Sequence, residues 1–434
     1  MTGGKTLIAR IPNPNAGPPC LTTASEAATM DFLRNILPIP VPGVFAWSSA
    51  TDSTNSVGAE YIIMEHAPGT NLAEVWENME LEQKVRTMED IVTIQQRLLS
   101  LRFSEKDATP RSSPAVVHGE RISGEDRTKI AERFSIGPNV DTDFWCNERA
   151  GMDIDRGPWA SAIDYVQAVA RREIAWIQKH VIPRSPDDPF FVSHSQNDPA
   201  EHVSLLERYL TVAPCLLPQE NDLIGSYLWH SDLRTPNIFV DDTGHITSII
   251  DWQSTYAAPL FLEGRHPSFL DYNGELLLQL PESFKTLDNE TQATTKDKVT
   301  KSILLYLYEK YTAERNPLLH RVFRYPNGKL LTDPIRFAGC TWEGDILPLR
   351  ESLIRVQKKW DSLGITAQCP IHFSPEEIRK HREQGEGWNE VQDFWDAVSG
   401  VVARDGWTSH ETYHQGREIY AQIMASEEGE SSSC

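Results

Sequence analysis

Apolar positions along the chain follow two rhythms, and the change falls near residue 70. Before it, apolar runs are short and interrupted by proline and polar turns, a pattern of strands with one helix among them. Residues 6–11 predict a strand, ended by Pro12 and the turn-rich stretch 13–19. Ser25 stands where a helix N-cap is expected, and a helix is predicted over 24–33. Pro38, Pro40 and Pro42 predict an extended linker, 44–47 a short strand, and 48–58 a polar loop. Residues 60–64 predict a further strand that stops at the turn Ala67-Pro-Gly69. From residue 70 onward the helical period takes over. Val85, Met88, Ile91, Val92, Leu98 and Leu99 stripe one side of a long helix over 81–101. Residues 103–157 lack a sustained period and predict hairpins and loops. Val166, Val169, Ala170, Ile174 and Ile177 mark a helix over 164–180, and a polar loop over 183–199 precedes a third helix over 203–210. Helices are also predicted over 298–315, 345–363, 390–402 and 409–424, before a polar tail with no packed structure. No internal repeat is present.

The expected fold class is therefore α+β. A β-rich lobe occupies 1–66, a large mainly helical lobe 67–424, and a disordered tail 425–434.

Composition narrows the classes without choosing among them. With 434 residues, 40% hydrophobic and 24% charged, the chain can bury one large core or two moderate ones. No apolar run approaches the roughly 18 residues needed to span a bilayer. A net charge of −21 argues against nucleic acid and acidic membranes as partners. The same field repels a nucleotide triphosphate, so binding one would require a divalent cation and a local positive side chain; it favours a cationic small molecule. Six cysteines without C-x-x-C pairs indicate neither a disulfide frame nor a zinc site. Asn289-Glu-Thr291 fits a glycosylation sequon, but nothing else points to secretion. His410 and His414 are four apart, yet no third metal ligand accompanies them.

Chemistry concentrates in His230-Ser-Asp-Leu-Arg-Thr-Pro-Asn237, followed by the apolar Ile238-Phe-Val240, the turn Asp241-Asp-Thr-Gly244 and a strand over 246–250 that ends in Asp251. Asp-Asp-Thr-Gly is good hairpin chemistry, so the second strand returns Asp251 beside the loop where the first began. The order H-x-D-L-x-x-x-N with a later Asp is that of protein kinases. There the first Asp accepts the acceptor's hydroxyl proton, and the Asn and second Asp hold Mg²⁺. Hard oxygen ligands suit a magnesium ion that neutralises a triphosphate. Asp232 is thus the candidate proton acceptor, and Asn237 and Asp251 are the candidate metal ligands. His230 is a candidate brace of the loop rather than a proton shuttle. The competing reading is a surface hairpin with an incidental aspartate at each end.

These two segments resemble the catalytic segment of the aminoglycoside phosphotransferase family of kinase-like enzymes. Leu7-Ile-Ala-Arg-Ile-Pro12, Thr22-Thr-Ala-Ser-Glu26, Gly58-Ala-Glu-Tyr-Ile-Ile-Met-Glu65 and Asp155-Arg-Gly-Pro-Trp159 resemble the family's large fungal subgroup, similar to the altered inheritance of mitochondria protein 9. The resemblance implies a two-lobed protein-kinase-like fold, ATP, Mg²⁺ and a small-molecule hydroxyl acceptor. A mitochondrial location is implied by it alone; the first residues show no targeting segment and otherwise suggest the cytoplasm. In the kinase plan Arg10 takes the strand position of the phosphate-gripping lysine, and Glu26 is the helix carboxylate that holds it. An arginine fork differs in geometry from an ammonium group. Met64, Glu65 and His66 would form the hinge that meets the nucleotide base, and Pro259, Arg265-His-Pro267 and Asp271-Tyr272 an acceptor-side wall. Met1-Thr-Gly-Gly-Lys5 directly precedes the first strand, so the nucleotide lobe is expected to be truncated, lacking its first strands and Gly-rich loop. Two other classes remain open on these residues: a pseudokinase that binds or scaffolds, and a metal-dependent hydrolase with paired carboxylates.

Overall fold

Short apolar strands next to a proline-rich linker cannot bury both faces, and they form one small antiparallel sheet. In the computed structural model, described for residues 6–13, 17–51, 55–104, 113–119, 122–186, 193–270, 272–385, 401 and 412–421, Tyr61–Glu65 lies between Leu7–Arg10 and Val44–Ser48. Register sets Arg10 opposite Ile62 and Leu7 opposite Glu65. Helix Leu21–Asn35 packs beneath this sheet through Met30, Phe32 and Leu33.

That helix begins three residues earlier than its periodicity predicts, and Ser25 lies within it rather than at its cap. Cys20 is the N-cap residue, at φ +67°, with no side-chain cap of its own. The Thr22 hydroxyl donates to the Pro18 carbonyl (3.0 Å), and the Cys20 amide donates to Glu60 (2.8 Å). A partner forty residues away thus does what a local cap would do.

The predicted hairpin is present. Ile238–Val240 pairs with Ile246–Ile249, placing Ile238 opposite Ile249, with an irregularity after Phe239. Asp241 organises the turn, its Oδ1 accepting from the amides of Thr243 and His245. A third strand, Thr70–Asn71, adds to the other edge of Ile238–Val240. The preceding Gly69 has φ +95°, and a Cβ there would lie 2.5 Å from both the Val240 carbonyl oxygen and the Thr247 hydroxyl.

Helix Leu81–Leu98 packs its stripe of Met88, Ile91 and Val92 against this hairpin and against helix Asn289–Arg315. The Tyr308 hydroxyl donates to Gln95 across that contact at 2.8 Å. A four-stranded sheet orders Ala257–Pro259, Ser226–Leu228, Arg102–Ser104 and Val116–His118. The rest of the described chain is mainly helical, and its large core gathers Val166, Leu206, Tyr209, Leu349 and Leu353.

Helix ends differ from expectation where polar residues hide them. Ala162–His180 is capped by Ser161, and Pro199–Val212 by Asp198 with proline in its first turn. Asn289–Arg315 starts nine residues before the expected 298, because Asp288 caps two exposed, polar turns that show no apolar stripe. Within 103–157, where only hairpins and loops are expected, helix Gly124–Arg133 forms with Ile130 as its one buried residue. Pro317–Phe323 and Gly328–Phe337 are further helices that the periodicity missed. Ile346–Lys359 continues in a 3-10 turn through Leu363, matching the expected 345–363. The helix expected at 390–402 and the tail at 425–434 lie outside the described residues, and of 409–424 residues 413–421 are helical. Among the described residues no helix is long and apolar enough to cross a membrane, and five cysteines are free thiols.

Candidate active site

Two backbone hydrogen bonds and one from a side chain hold the strand end that carries Asp251. The Ile249 amide donates to the Pro40 carbonyl of the linker (2.8 Å), and the Ile250 amide donates to the Asn237 carbonyl (2.9 Å). The Ile250 carbonyl accepts from His230 Nε2 at 3.0 Å. Behind the carboxylate, Trp252 is 1% exposed and its indole N–H donates to the Ile249 carbonyl (3.0 Å). Asp251 itself takes φ +64°, a region that a non-glycine residue enters only when its surroundings hold it there.

His230 joins the two halves of the motif. Its Nδ1 accepts from the Asp232 amide (3.2 Å), which fixes the proton on Nε2. The ring packs edge-on against Trp252 at 4.5 Å. Burial pushes its pKa below the usual histidine value, against the upward pull of the Ile250 carbonyl, Asp251 and Asp232. A neutral ring, donating on one side and accepting on the other, suits the brace expected of it.

Asp232 and Asn237 meet. The Asn237 amide nitrogen donates to Asp232 Oδ2 (3.1 Å) and to its carbonyl (2.9 Å). Arg234 Nε lies 2.8 Å from the same Oδ2. Asp232 Oδ1 takes no hydrogen bond among the described residues, and the side chain is half-exposed. Asp232 also lines a cavity of about 140 Å³ with His230, Trp252, Arg265 and His266, so part of the expected acceptor-side wall borders the loop. Of the rest of that wall, Asp271 lies outside the described residues.

Arg10 crosses the cleft. One of its amino groups pairs with Glu26, and the other donates to Asp251 Oδ1 (3.0 Å) and Gln253 Oε1 (2.7 Å). A planar fork can serve three acceptors from two distant chain segments, which one ammonium group does less well. Glu26 is only 4% exposed; burial pushes its pKa up to about 7, opposed by Arg10 and reinforced by Asp251. Desolvation outweighs the ion pair here, as it often does for a buried carboxylate.

Of the three residues expected to form the hinge, Met64 and Glu65 end the central strand and His66 follows it. Glu65 uses its amide on the Gly43 carbonyl (2.8 Å), and its carboxylate accepts from Arg34 (3.0 Å) and the Gly43 amide (3.1 Å). Met64 packs partly buried, whereas His66 is exposed. Residues 1–5 lie outside the described residues. Two residues that touch the site received no role from the sequence, Arg234 and Gln253. Both fall inside the motif segments, two residues beyond each aspartate, so position alone could have flagged them.

Comparison with known proteins gives the family of the chain. The model of the phosphotransferase enzyme family matches residues 1–263. A subtelomeric hrmA-associated cluster protein of Aspergillus fumigatus is 32% identical, over 91% of this chain and 83% of its own. The altered inheritance of mitochondria protein 9 is 26% identical in Yarrowia lipolytica (84% of this chain, 65% of that protein) and 24% in Saccharomyces cerevisiae (95% and 70%). Among solved structures, the gentamicin complex of APH(2")-IIa aligns over 84% of this chain and 86% of its own, with TM-score 0.36 and 13% identity. An ethanolamine kinase of Plasmodium vivax aligns over 84% and 78%, with TM-score 0.35 and 11% identity. With the family model covering most of the chain and motif residues meeting in one cleft, the chain belongs to the phosphotransferase enzyme family and has its α+β, kinase-like fold.

Proposed function

We propose that this protein moves the terminal phosphoryl group of ATP to a hydroxyl of a small molecule, with Mg²⁺ as cofactor. The observation that carries the reading is the asymmetry of Asp232. Its Oδ2 is held by Asn237 and Arg234, while Oδ1 is left open on a half-exposed carboxylate. An oxygen oriented in this way can accept the acceptor's proton as its hydroxyl oxygen attacks phosphorus. His230 would keep the loop in register without moving protons. Arg234 would offset charge beside the transferring group.

Asn237 and Asp251 would hold the ion, and the donor chemistry fits it. Both offer hard oxygens, and among the described residues no cluster of three or more His, Cys, Asp or Glu side chains exists to cage a metal alone. An ion completed by phosphate and water oxygens is the usual habit of Mg²⁺. When bound, it would neutralise the triphosphate and polarise the transferring group. Arg10, steadied by Glu26, would grip the α- and β-phosphates. The Met64, Glu65 and His66 backbone would face the adenine edge, with the Glu65 amide already engaged by Gly43. On this reading the nucleotide lobe ends at about residue 66, and the acceptor is a small, preferably cationic, hydroxyl compound suited to a chain of net charge −21. A mitochondrial location, carried over from the relatives' name, is checked by imaging a tagged full-length gene product.

The test pairs binding with turnover. Mg-ATP is expected to raise the unfolding temperature of the wild type and of Asp232→Ala alike. Turnover on a panel of hydroxyl compounds is expected to fall by about three orders of magnitude in the variant. Near-normal turnover in Asp232→Ala would remove that residue from the chemistry. A thermal shift with no turnover on any acceptor would instead indicate a pseudokinase.

A further inference from the structure

The helical region far from Asp232 in sequence holds a second and larger cavity, about 580 Å³, within the size range of small-molecule sites. Three elements enclose it: helix Gly328–Phe337, helix Ile346–Lys359, and the helical residues 375–385. Spacing explains how each presents a face. Lys329, Asp333 and Phe337 recur every four residues on the first helix, and Leu347, Glu351 and Arg355 do so on the second.

The polar groups in it are unusual. Asp333 lines the cavity at 9% exposure, and among the described residues it makes no hydrogen bond or ion pair. Its charge is faced at longer range by Lys329, Arg336 and Arg355, while its oxygens keep their capacity to accept a hydrogen bond. His381, on the opposite wall and 6% exposed, donates Nε2 to Glu351 (2.9 Å) but leaves Nδ1 without a partner. Lys329, Arg355 and Arg382 are exposed and line the same space, so a cationic rim surrounds a carboxylate that lies deeper. Arg355 spends only one long contact on its neighbour, 3.6 Å to Glu351. Three cations against two carboxylates leave this pocket net positive on a chain of −21. Phe337, Leu347 and Pro348 supply an apolar wall.

We infer that this cavity is a ligand site, separate from the Asp232 centre, for a small organic phosphate or carboxylate that also bears hydroxyl groups. The anionic group would sit among Lys329, Arg355 and Arg382, and a hydroxyl would donate to Asp333. This combination would give Asp333, which makes no hydrogen bond among the described residues, a donor from the ligand. An apolar ligand would leave Asp333 and the three cations unused, and a bare inorganic anion would not reach the deeper carboxylate.

Isothermal titration calorimetry on the full chain tests this with three probes: ribose 5-phosphate, methyl phosphate and ribose. Ribose 5-phosphate is expected to bind more tightly than the other two. Its affinity should fall about tenfold or more in Arg355→Ala and in Asp333→Ala, since each removes a charge-assisted hydrogen bond. Asp251→Ala, which alters only the catalytic cleft, should bind the probe as the wild type does. Arg355 is 60% exposed, so its truncation should leave the fold intact, and Arg355→Lys should recover part of the affinity. Loss of binding in Asp251→Ala with retention in Arg355→Ala would place the probe in the catalytic cleft and overturn the inference. Absence of binding by the wild type, or equal binding of ribose 5-phosphate and methyl phosphate, would overturn it too. Neither result bears on the reading of Asp232, which rests on different residues.

Discussion

Arg10→Ala removes a side chain that binds both Glu26 and Asp251, residues 225 positions apart in sequence (251 − 26). Its cost divides into two parts. Glu26 is 4% exposed, so losing its partner leaves a buried carboxylate unpaired, a change that costs about 3–5 kcal/mol when the charge cannot escape. Here it can escape in part, because a carboxyl with a pKa of about 7 takes up a proton readily. That relief lowers this share to about 2 kcal/mol. The bonds to Asp251 and Gln253 end on a partly exposed surface, and about 0.5 kcal/mol each is reasonable after solvent screening. The total is about 3 kcal/mol. For 434 residues the unfolding entropy is about 0.9 kcal/mol/K, so the unfolding temperature should drop by about 3 °C. Differential scanning calorimetry reads that shift, and Mg-ATP titration of the same variant should show affinity weakened by at least about tenfold. Arg10→Lys should recover only part of either, because an ammonium group lacks the fork. A variant with wild-type unfolding temperature and wild-type nucleotide affinity would refute the bridging role.

Glu26→Gln should become more stable relative to the wild type as pH rises from 4.5 to about 7. A carboxyl whose pKa is raised by folding contributes stability below its unfolded value and loses it as pH climbs through the folded one. The difference should approach roughly 3 kcal/mol in calorimetric scans across that range, and a flat difference would mean that burial does not dominate at this carboxyl. His202 titrates in the opposite sense. Fully buried between Thr341 and Gln196 (3.0 Å each), it has its pKa pushed down to about 4, mainly by burial. Its contribution is present above pH 6.5 and is lost as pH falls toward 4, so unfolding temperature against pH should be less steep in His202→Gln over that interval. Gly69→Ala should destabilise the protein by about 1–3 kcal/mol, because a Cβ at φ +95° would strike the Val240 carbonyl; an unchanged denaturant midpoint would show that the turn can shift freely.

Several features could be read before any coordinates. The helix Leu81–Leu98 shows itself because one side repeats apolar residues at the helical period while the other is charged. The hairpin after Asn237 shows itself because its turn chemistry and its flanking β-branched residues agree. Helix Gly124–Arg133 could not be read in this way, since a helix that buries one isoleucine leaves no stripe. The start of helix Leu21–Asn35 differs for another reason: the amide of its N-cap residue Cys20 is satisfied by Glu60, and no local signal announces a partner forty residues away.

The loop from His230 to Asn237 belongs to the same division. Sequence alone fixed the residue types that can do the chemistry and their short-range order, because backbone geometry over a loop and a hairpin leaves few ways to arrange Asp232, Asn237 and Asp251. The pairing of Arg10 with Glu26 was implied by the family resemblance, and the structure shows it. Tertiary structure decided the rest: that Arg10 reaches on to Asp251, that Arg234 shares Oδ2 of Asp232 and leaves Oδ1 open, and that the carboxylate at position 333 lines a cavity beside Lys329 and Arg355. Those are consequences of long-range packing, where contacts between distant segments are set by the shape of the whole core and leave no periodic trace along the chain.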